Sequence, residues 1–292
     1  MDDRQWTGST YGTAWMHRNL IRLLRYVDVR FIYLFAELFV VPVCLLINKS
    51  RKTAFCYFRQ RLGYGYFHAL WAVYVNHCQF AKTVIDKFAM YAGKKFQIEF
   101  VGQEIFTELV NKEEGFILLS SHMGNYEMGG YALAWDEKPI HALVYAHEKA
   151  SVMASRNAVF GKNHVYMIVM GEDMKYLLEI SEALRKGGIV SFPADRHMGD
   201  AKCWECTFLG KKAKFPQGPF RVATMYGLNV LAVNVMKTGA KKYTFYVERL
   251  RYDSFLPKKE QLGQLIEAYV AELEKRIHQY PTQWYNFFDF WQ

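Results

Sequence analysis

The 292-residue chain has five cysteines and no cysteine framework. An odd number without regular spacing excludes a disulfide scaffold and predicts a reducing compartment. One pair, "CWEC", sets Cys203 and Cys206 in a C-x-x-C. A zinc site needs about four ligands and no second pair supplies them, so the spacing is read as chance. P-loop, zinc-finger and RNA-recognition signatures are missing, which argues against a nucleotide- or nucleic-acid-directed function. There are 7 prolines, no repeats and no Pro/Gly/Ser-rich tract, so no linker divides the chain. The first residues are acidic and polar, so no cleavable signal peptide is expected. Nothing in the pattern requires a metal or a cofactor, and none is expected.

What is abundant is apolar and aromatic. Hydrophobic residues make up 51% of the chain and aromatics 17%. The formal charge is +9, which favours acidic partners such as anionic headgroups or an acidic carrier protein. The strongest apolar stretch, "FIYLFAELFVVPVCLLI", runs from Phe31 to Ile47 and is interrupted by Glu37 and Pro42. A clean membrane span needs about 20 residues. Arg22, Arg25 and Arg30 precede the stretch, and Lys49, Arg51 and Lys52 follow it. That flanking predicts a helix lying in or dipping into an anionic bilayer surface; a buried core helix is the alternative.

Residues 1–95 read as a helical, membrane-associating region. From residue 96 short apolar runs alternate with helical segments, as in an α/β layer fold. Strands are expected over "FQIEFVG" (96–102), "GFILLSSH" (115–122), "PIHALVYA" (139–146), "HVYMIVMG" (164–171) and "IVSFPAD" (189–195). Two more are expected on either side of "TGAKK". Helices are expected over "MGNYEMGGYALAW" and "EDMKYLLEISEALRKGG". In "KKEQLGQLIEAYVAELEKRIHQY", Leu262, Leu265, Ile266, Tyr269, Leu273 and Ile277 recur at helical spacing, and Pro281 ends the run. The expected fold is α/β: a mixed, mostly parallel sheet flanked by helices over residues 96–292, with the helical region packed on it.

Ligands of open α/β sheets bind beyond the carboxyl ends of the strands. Two strands end there on ionisable residues, His122 and Asp195. Within "SSHMGNYE", His122 and Glu127 are five apart, about 140° on an ideal helix, so they cannot share a helix face. They meet only if His122 precedes the helix and the chain bends at Gly124. A base held in one tautomer by a carboxylate would result, its nucleophile a substrate hydroxyl. Alternatively Ser121 or His122 caps the helix and Glu127 is a solvated first-turn acid. Ser120 and Ser121 lack the G-x-S-x-G setting of a nucleophile.

"SSHMGNYE" resembles the H-x4-D/E motif of glycerolipid-type acyltransferases and, more closely, the H-x4-E motif of the bacterial late acyltransferases of lipid A biosynthesis. Further blocks resemble that family in order: Arg156 in "ASRNAVFG", then "IVSFPADRHMGD", then "TFLGKKAKFPQGPFRVATMYGLNVLAV", and the tail "YPTQWYNFFDFWQ". The likeness covers about 96–292. Arg196 departs from it, standing after the aspartate where many relatives have glutamine. The resemblance implies transfer of a fatty acyl chain from acyl carrier protein to a hydroxyl of a lipid or glycolipid, at the cytoplasmic face of the inner membrane. It implies His122 as the base and Glu127 as its orienter, and it makes Arg156, Arg196 and Asp195 candidates for oxyanion stabilisation or substrate positioning.

Lys211, Lys212, Lys214 and Arg221 form a basic cluster around a turn, suited to a carrier protein or lipid phosphates. A solvated loop is the alternative. Trp284, Phe287, Phe288, Phe290 and Trp291 would line an acyl groove, sit at a membrane interface or pack in the core. Two other functions stay open: a hydrolase using the same dyad, and a non-catalytic basic membrane-binding protein.

Overall fold

The computed structural model describes residues 14–132, 138–145, 164–171, 174–197, 201–287 and 290–291. The chain starts with helices α1 (Ala14–Tyr26), α2 (Val29–Ile47), α3 (Ser50–Cys56, continued by π-type turns over Tyr57–Arg61) and α4 (Tyr66–Tyr91). The α/β part follows as β1 (Gln97–Val101), α5 (Gln103–Val110), β2 (Phe116–Ser120), α6 (Tyr126–Ala132), β3 (Ile140–Tyr145), β4 (Val165–Met170), α7 (Lys175–Arg185) and β5 (Ile189–Pro193). It ends with β6 (Cys203–Phe208), β7 (Lys211–Pro216), α8 (Gly218–Tyr226), β8 (Val230–Gly239), β9 (Lys242–Leu250) and α9 (Lys258–Gln279).

Among the described residues seven strands form one sheet in the order β1-β9-β8-β2-β5-β3-β4. Every neighbouring pair is parallel except β8–β9, a hairpin. The central strands are apolar runs because both sheet faces are covered. β2 is buried from Phe116 to Leu119, and β8 from Val230 to Lys237. On α9 the periodic apolar residues Leu262, Leu265, Ile266, Tyr269, Leu273 and Ile277 are all buried. On that buried side, Arg276 pairs with Glu272 at 2.5 Å and stacks over the Tyr246 ring.

Two elements escaped the sequence reading: α5 and the two-stranded β6–β7 sheet. Lys211, Lys212 and Lys214 of the basic cluster lie in this hairpin, with Cys203 opposite Pro216 and Phe208 opposite Lys211. Its strands are polar outside and aromatic inside. Phe208 and Phe215 stack edge-on to one another and fill the core beneath it. Cys203 and Cys206, three apart on an extended strand, leave opposite faces.

α2 is 19 residues long, long and apolar enough to cross a membrane by length and composition, and 17% of it is buried. Phe31, Leu38, Phe39, Leu46 and Ile47 project into solvent. The two interruptions are accommodated. Pro42 starts a new α-helical turn after a π-type turn over Ala36–Val40, which absorbs the hydrogen bond that proline cannot make. Glu37 turns toward α4, where its carboxylate meets Lys82 at 2.5 Å.

A buried polar knot ties α2 to the sheet. Asp86 of α4, without solvent contact, takes the Lys237 ammonium of β8 at 2.5 Å and the hydroxyls of Tyr33 (α2) and Tyr243 (β9). Burial alone would raise the Asp86 carboxyl, and the lysine works against that rise. Desolvation offsets much of the attraction in such a buried pair, so its net contribution to stability is small.

Candidate active site

β2 and β5 are hydrogen-bonded parallel neighbours, with Ser120 opposite Pro193. Both chains leave the sheet at the same edge, so residues just beyond them must meet. His122 Nδ1 lies 2.8 Å from Asp195 Oδ1, and the His122 backbone N–H donates to Oδ2 at 3.0 Å. Asp195 is fully buried, and Trp284 Nε1–H points at its Oδ2 from 3.5 Å.

This corrects the assignment of the orienting carboxylate. The group on the imidazole is Asp195, a strand-end residue 73 positions away, and not Glu127. Glu127 lies on α6 and is held elsewhere. Its carboxylate takes the Lys87 ammonium of α4 and, at 2.9 Å, the Tyr91 hydroxyl. It is a buried acid and not a solvated one. The capping alternative is corrected too. Asn125 caps α6, its Oδ1 accepting from the Met128 N–H at 3.3 Å.

The loop between β2 and α6 is clamped from two sides. Gly124 N–H donates to the Gln283 carbonyl at 2.8 Å, and Asn125 N–H to the Val235 carbonyl at 2.8 Å. Gly124 has φ +59°, and a Cβ there would sit 2.0 Å from the Val235 oxygen. Only glycine fits this approach. Past the loop, the Tyr285 N–H donates to the His122 carbonyl at 3.1 Å. The tail therefore lies across the histidine.

Arg196 completes the cluster. It is buried, its Nη2 donates to the Tyr285 carbonyl at 2.5 Å, and its Nε stands 4.0 Å from Asp195 Oδ2. Burial first, and the Arg196 charge second, lower the His122 pKa below its ordinary value, against the pull of Asp195. At neutral pH the ring is uncharged. Burial would raise the Asp195 carboxyl, but His122 and Arg196 outweigh it and hold the acid well below the carboxylate range. With Nδ1–H donated to Asp195, Nε2 carries the lone pair of a base.

The other candidates scatter. Arg156 and Phe288 lie outside the described residues. Lys211, Lys212 and Lys214 are exposed on β7, and Lys212 pairs with Glu205 across the hairpin at 2.8 Å. Arg221 borders a cavity of about 340 Å³ with Trp204, Gln217, Thr224 and Lys258. Of the tail aromatics, Trp284 and Phe290 are core and Trp291 packs against it. Trp284 is 1% exposed and meets the rings of Tyr57, Phe208, Phe290 and Trp291 edge-on. Phe287 packs on His77 and Phe80 of α4. Lys87 and Tyr91, which hold Glu127, were not legible in the sequence as site neighbours. Four apart, they share a helix face, but nothing in the sequence marks what that face meets.

The sequence profile of the bacterial lipid A biosynthesis acyltransferase family matches residues 79–292. No functionally curated protein matches the chain. Among solved structures, the chain is similar to the 1-acyl-sn-glycerophosphate acyltransferase PlsC of Thermotoga maritima. That similarity is at 14% identity and a TM-score of 0.42, covering 90% of this chain and 98% of that one.

Proposed function

Because the chain belongs to the bacterial lipid A biosynthesis acyltransferase family and is an acyltransferase, we propose that it moves a fatty acyl chain from acyl carrier protein to a hydroxyl of a lipid acceptor. The proposed acceptor is a lipid A precursor or a related glycolipid. The observation that carries the site assignment is the 2.8 Å contact between His122 Nδ1 and Asp195.

The chemistry follows from that contact. Nε2 of His122 takes the proton of the acceptor hydroxyl. The oxygen attacks the thioester carbonyl, a C–O bond forms, and the carbonyl electrons move onto oxygen. Collapse of the tetrahedral intermediate breaks the C–S bond, and the imidazolium returns its proton to the leaving thiolate. Asp195 keeps Nδ1 protonated and supports the positive ring while it exists. Arg196 supplies positive charge beside the dyad. Glu127 is assigned a positioning role, holding α6 to α4 through Lys87 and Tyr91.

The acceptor and its products are lipids, and α2 offers an apolar face to meet them. Its exposed side chains continue onto Tyr66, Phe67 and Trp71 at the start of α4. We place this face in the membrane, on the cytoplasmic side of the inner membrane. The N-terminal helices and the α/β part then act as anchor and catalyst. Incubation with palmitoyl–acyl carrier protein and a host lipid extract tests the reading. A new acylated lipid that disappears in His122→Ala is expected. Free fatty acid as the sole product would mean hydrolysis and would contradict transfer.

A further inference from the structure

Tyr126, the first residue of α6, lies against the proposed base. Its ring meets the His122 imidazole edge-on, with centroids 5.5 Å apart and planes at 67°. From Ser121 to Gly129 it is the one exposed residue, and 40% of its surface meets solvent. An exposed aromatic is ordinary on a protein surface. This one differs because the group it touches is an imidazole with a reactive edge, itself 12% exposed.

The backbone fixes the ring in place. The left-handed turn at Gly124, φ +59°, bends the chain between His122 and the start of α6. On one side of Tyr126, the Asn125 N–H donates to the Val235 carbonyl at 2.8 Å. On the other, the Met128 N–H donates to Asn125 Oδ1 at 3.3 Å. The remaining contacts of His122 are internal. Nδ1 and the backbone N–H go to the buried Asp195, and the carbonyl accepts from the Tyr285 N–H. Among the described residues, Tyr126 is the ring that packs on the imidazole and also reaches solvent.

A hydroxyl that gives its proton to Nε2 must come within about 3 Å of that atom. The carbon bearing the hydroxyl then lies a few ångström from the imidazole and beside any ring packed on it. Hydrogens on an oxygen-bearing carbon are weakly positive, and an aromatic ring offers them apolar area and a negative π face. The thioester sits farther off, across the forming C–O bond. We infer that the Tyr126 ring is an acceptor-binding surface, touching the C–H groups beside the hydroxyl that His122 deprotonates. Its contribution is to hold the acceptor, not to assist the bond changes. The inference rests on the acyl-transfer reading above.

The test is Tyr126→Ala, with Tyr126→Phe beside it. Palmitoyl transfer from palmitoyl–acyl carrier protein is measured against the concentration of host lipid extract, then against the concentration of the donor. Tyr126→Ala should raise the apparent KM for the lipid extract about tenfold, with kcat and the donor KM within about threefold of wild type. Tyr126→Phe keeps the ring and should recover most of that loss. The thermal midpoint should change little in either variant, because the residue is exposed. An acceptor KM in Tyr126→Ala within about twofold of wild type overturns the inference. So does a fall in kcat at unchanged acceptor KM, which would make the ring a support for the imidazole. A Tyr126→Phe variant as impaired as Tyr126→Ala also overturns it, by giving the contact to the hydroxyl. His122→Ala separates the two levels. If it transfers like wild type, or if wild type does not transfer at all, the acyl-transfer reading and the inference fall together. If His122→Ala is dead while Tyr126→Ala keeps the wild-type acceptor KM, only the inference fails.

Discussion

Two buried carboxylates compete for the role of orienting His122, and their surroundings differ. Glu127 is five residues along the chain, on the helix that follows the histidine, and it answers to the Lys87 ammonium and the Tyr91 hydroxyl. Asp195 is 73 residues away, at the end of the strand hydrogen-bonded to the histidine's own, and it grips both the ring and the backbone N–H of His122. Register between parallel strands brings functional groups together more reliably than nearness in sequence. A helix start turns its first acid away from the strand end, whereas two adjacent strand ends necessarily face the same crevice. The glutamate of the motif meets α4 through Lys87, and the aspartate of a distant block meets the histidine.

The comparison can be broken by mutation. The largest effect is expected for His122→Ala, a loss of about 10³-fold in transfer rate with the fold retained. Asp195→Asn should follow, with a loss of about 10²-fold or more, because an amide can hold the ring in the wrong tautomer. Glu127→Gln should lose less than about tenfold in rate. Its cost should appear in stability, about 2 kcal/mol by urea unfolding, because Lys87 is left without its carboxylate. Rates for Asp195→Asn and Glu127→Gln in the reverse order would return the orienting role to Glu127.

Smaller effects sharpen the electrostatics. A base works deprotonated, so kcat/KM should fall as pH drops through the His122 pKa, which lies below 6.5. Arg196 lowers that value. Arg196→Gln should therefore move the acid limb to higher pH, seen in a pH–rate profile. At the membrane face, paired Leu46→Glu and Ile47→Glu should reduce co-flotation with anionic vesicles and leave the unfolding free energy within about 0.5 kcal/mol of wild type.

Much of the scaffold was legible because it depends on periodicity. The apolar run of β2, the alternating β1 and the helical spacing of α9 each encode their own burial. His122 and Asp195 were legible as strand-end residues. Their contact was not, because strand order places β5 beside β2 across two intervening strands of sequence. The β6–β7 hairpin was hidden by its exposed lysines, which read as loop although alternate residues Ala213 and Phe215 are buried. The tail aromatics left groove, interface and core open, and packing against Trp284 put Phe290 and Trp291 in or against the core.

The most direct test of the central claim needs no substrate. Nitrogen-15 NMR titration of the His122 imidazole reports both its tautomer and its pKa in wild type, Asp195→Asn and Glu127→Gln. Asp195 raises the His122 pKa, and the Glu127 carboxylate meets Lys87 and Tyr91 instead. Asp195→Asn should therefore lower the pKa further and abolish the pure Nδ1–H tautomer, while Glu127→Gln should titrate as wild type does. A His122 signal unchanged in Asp195→Asn and displaced in Glu127→Gln would contradict the account.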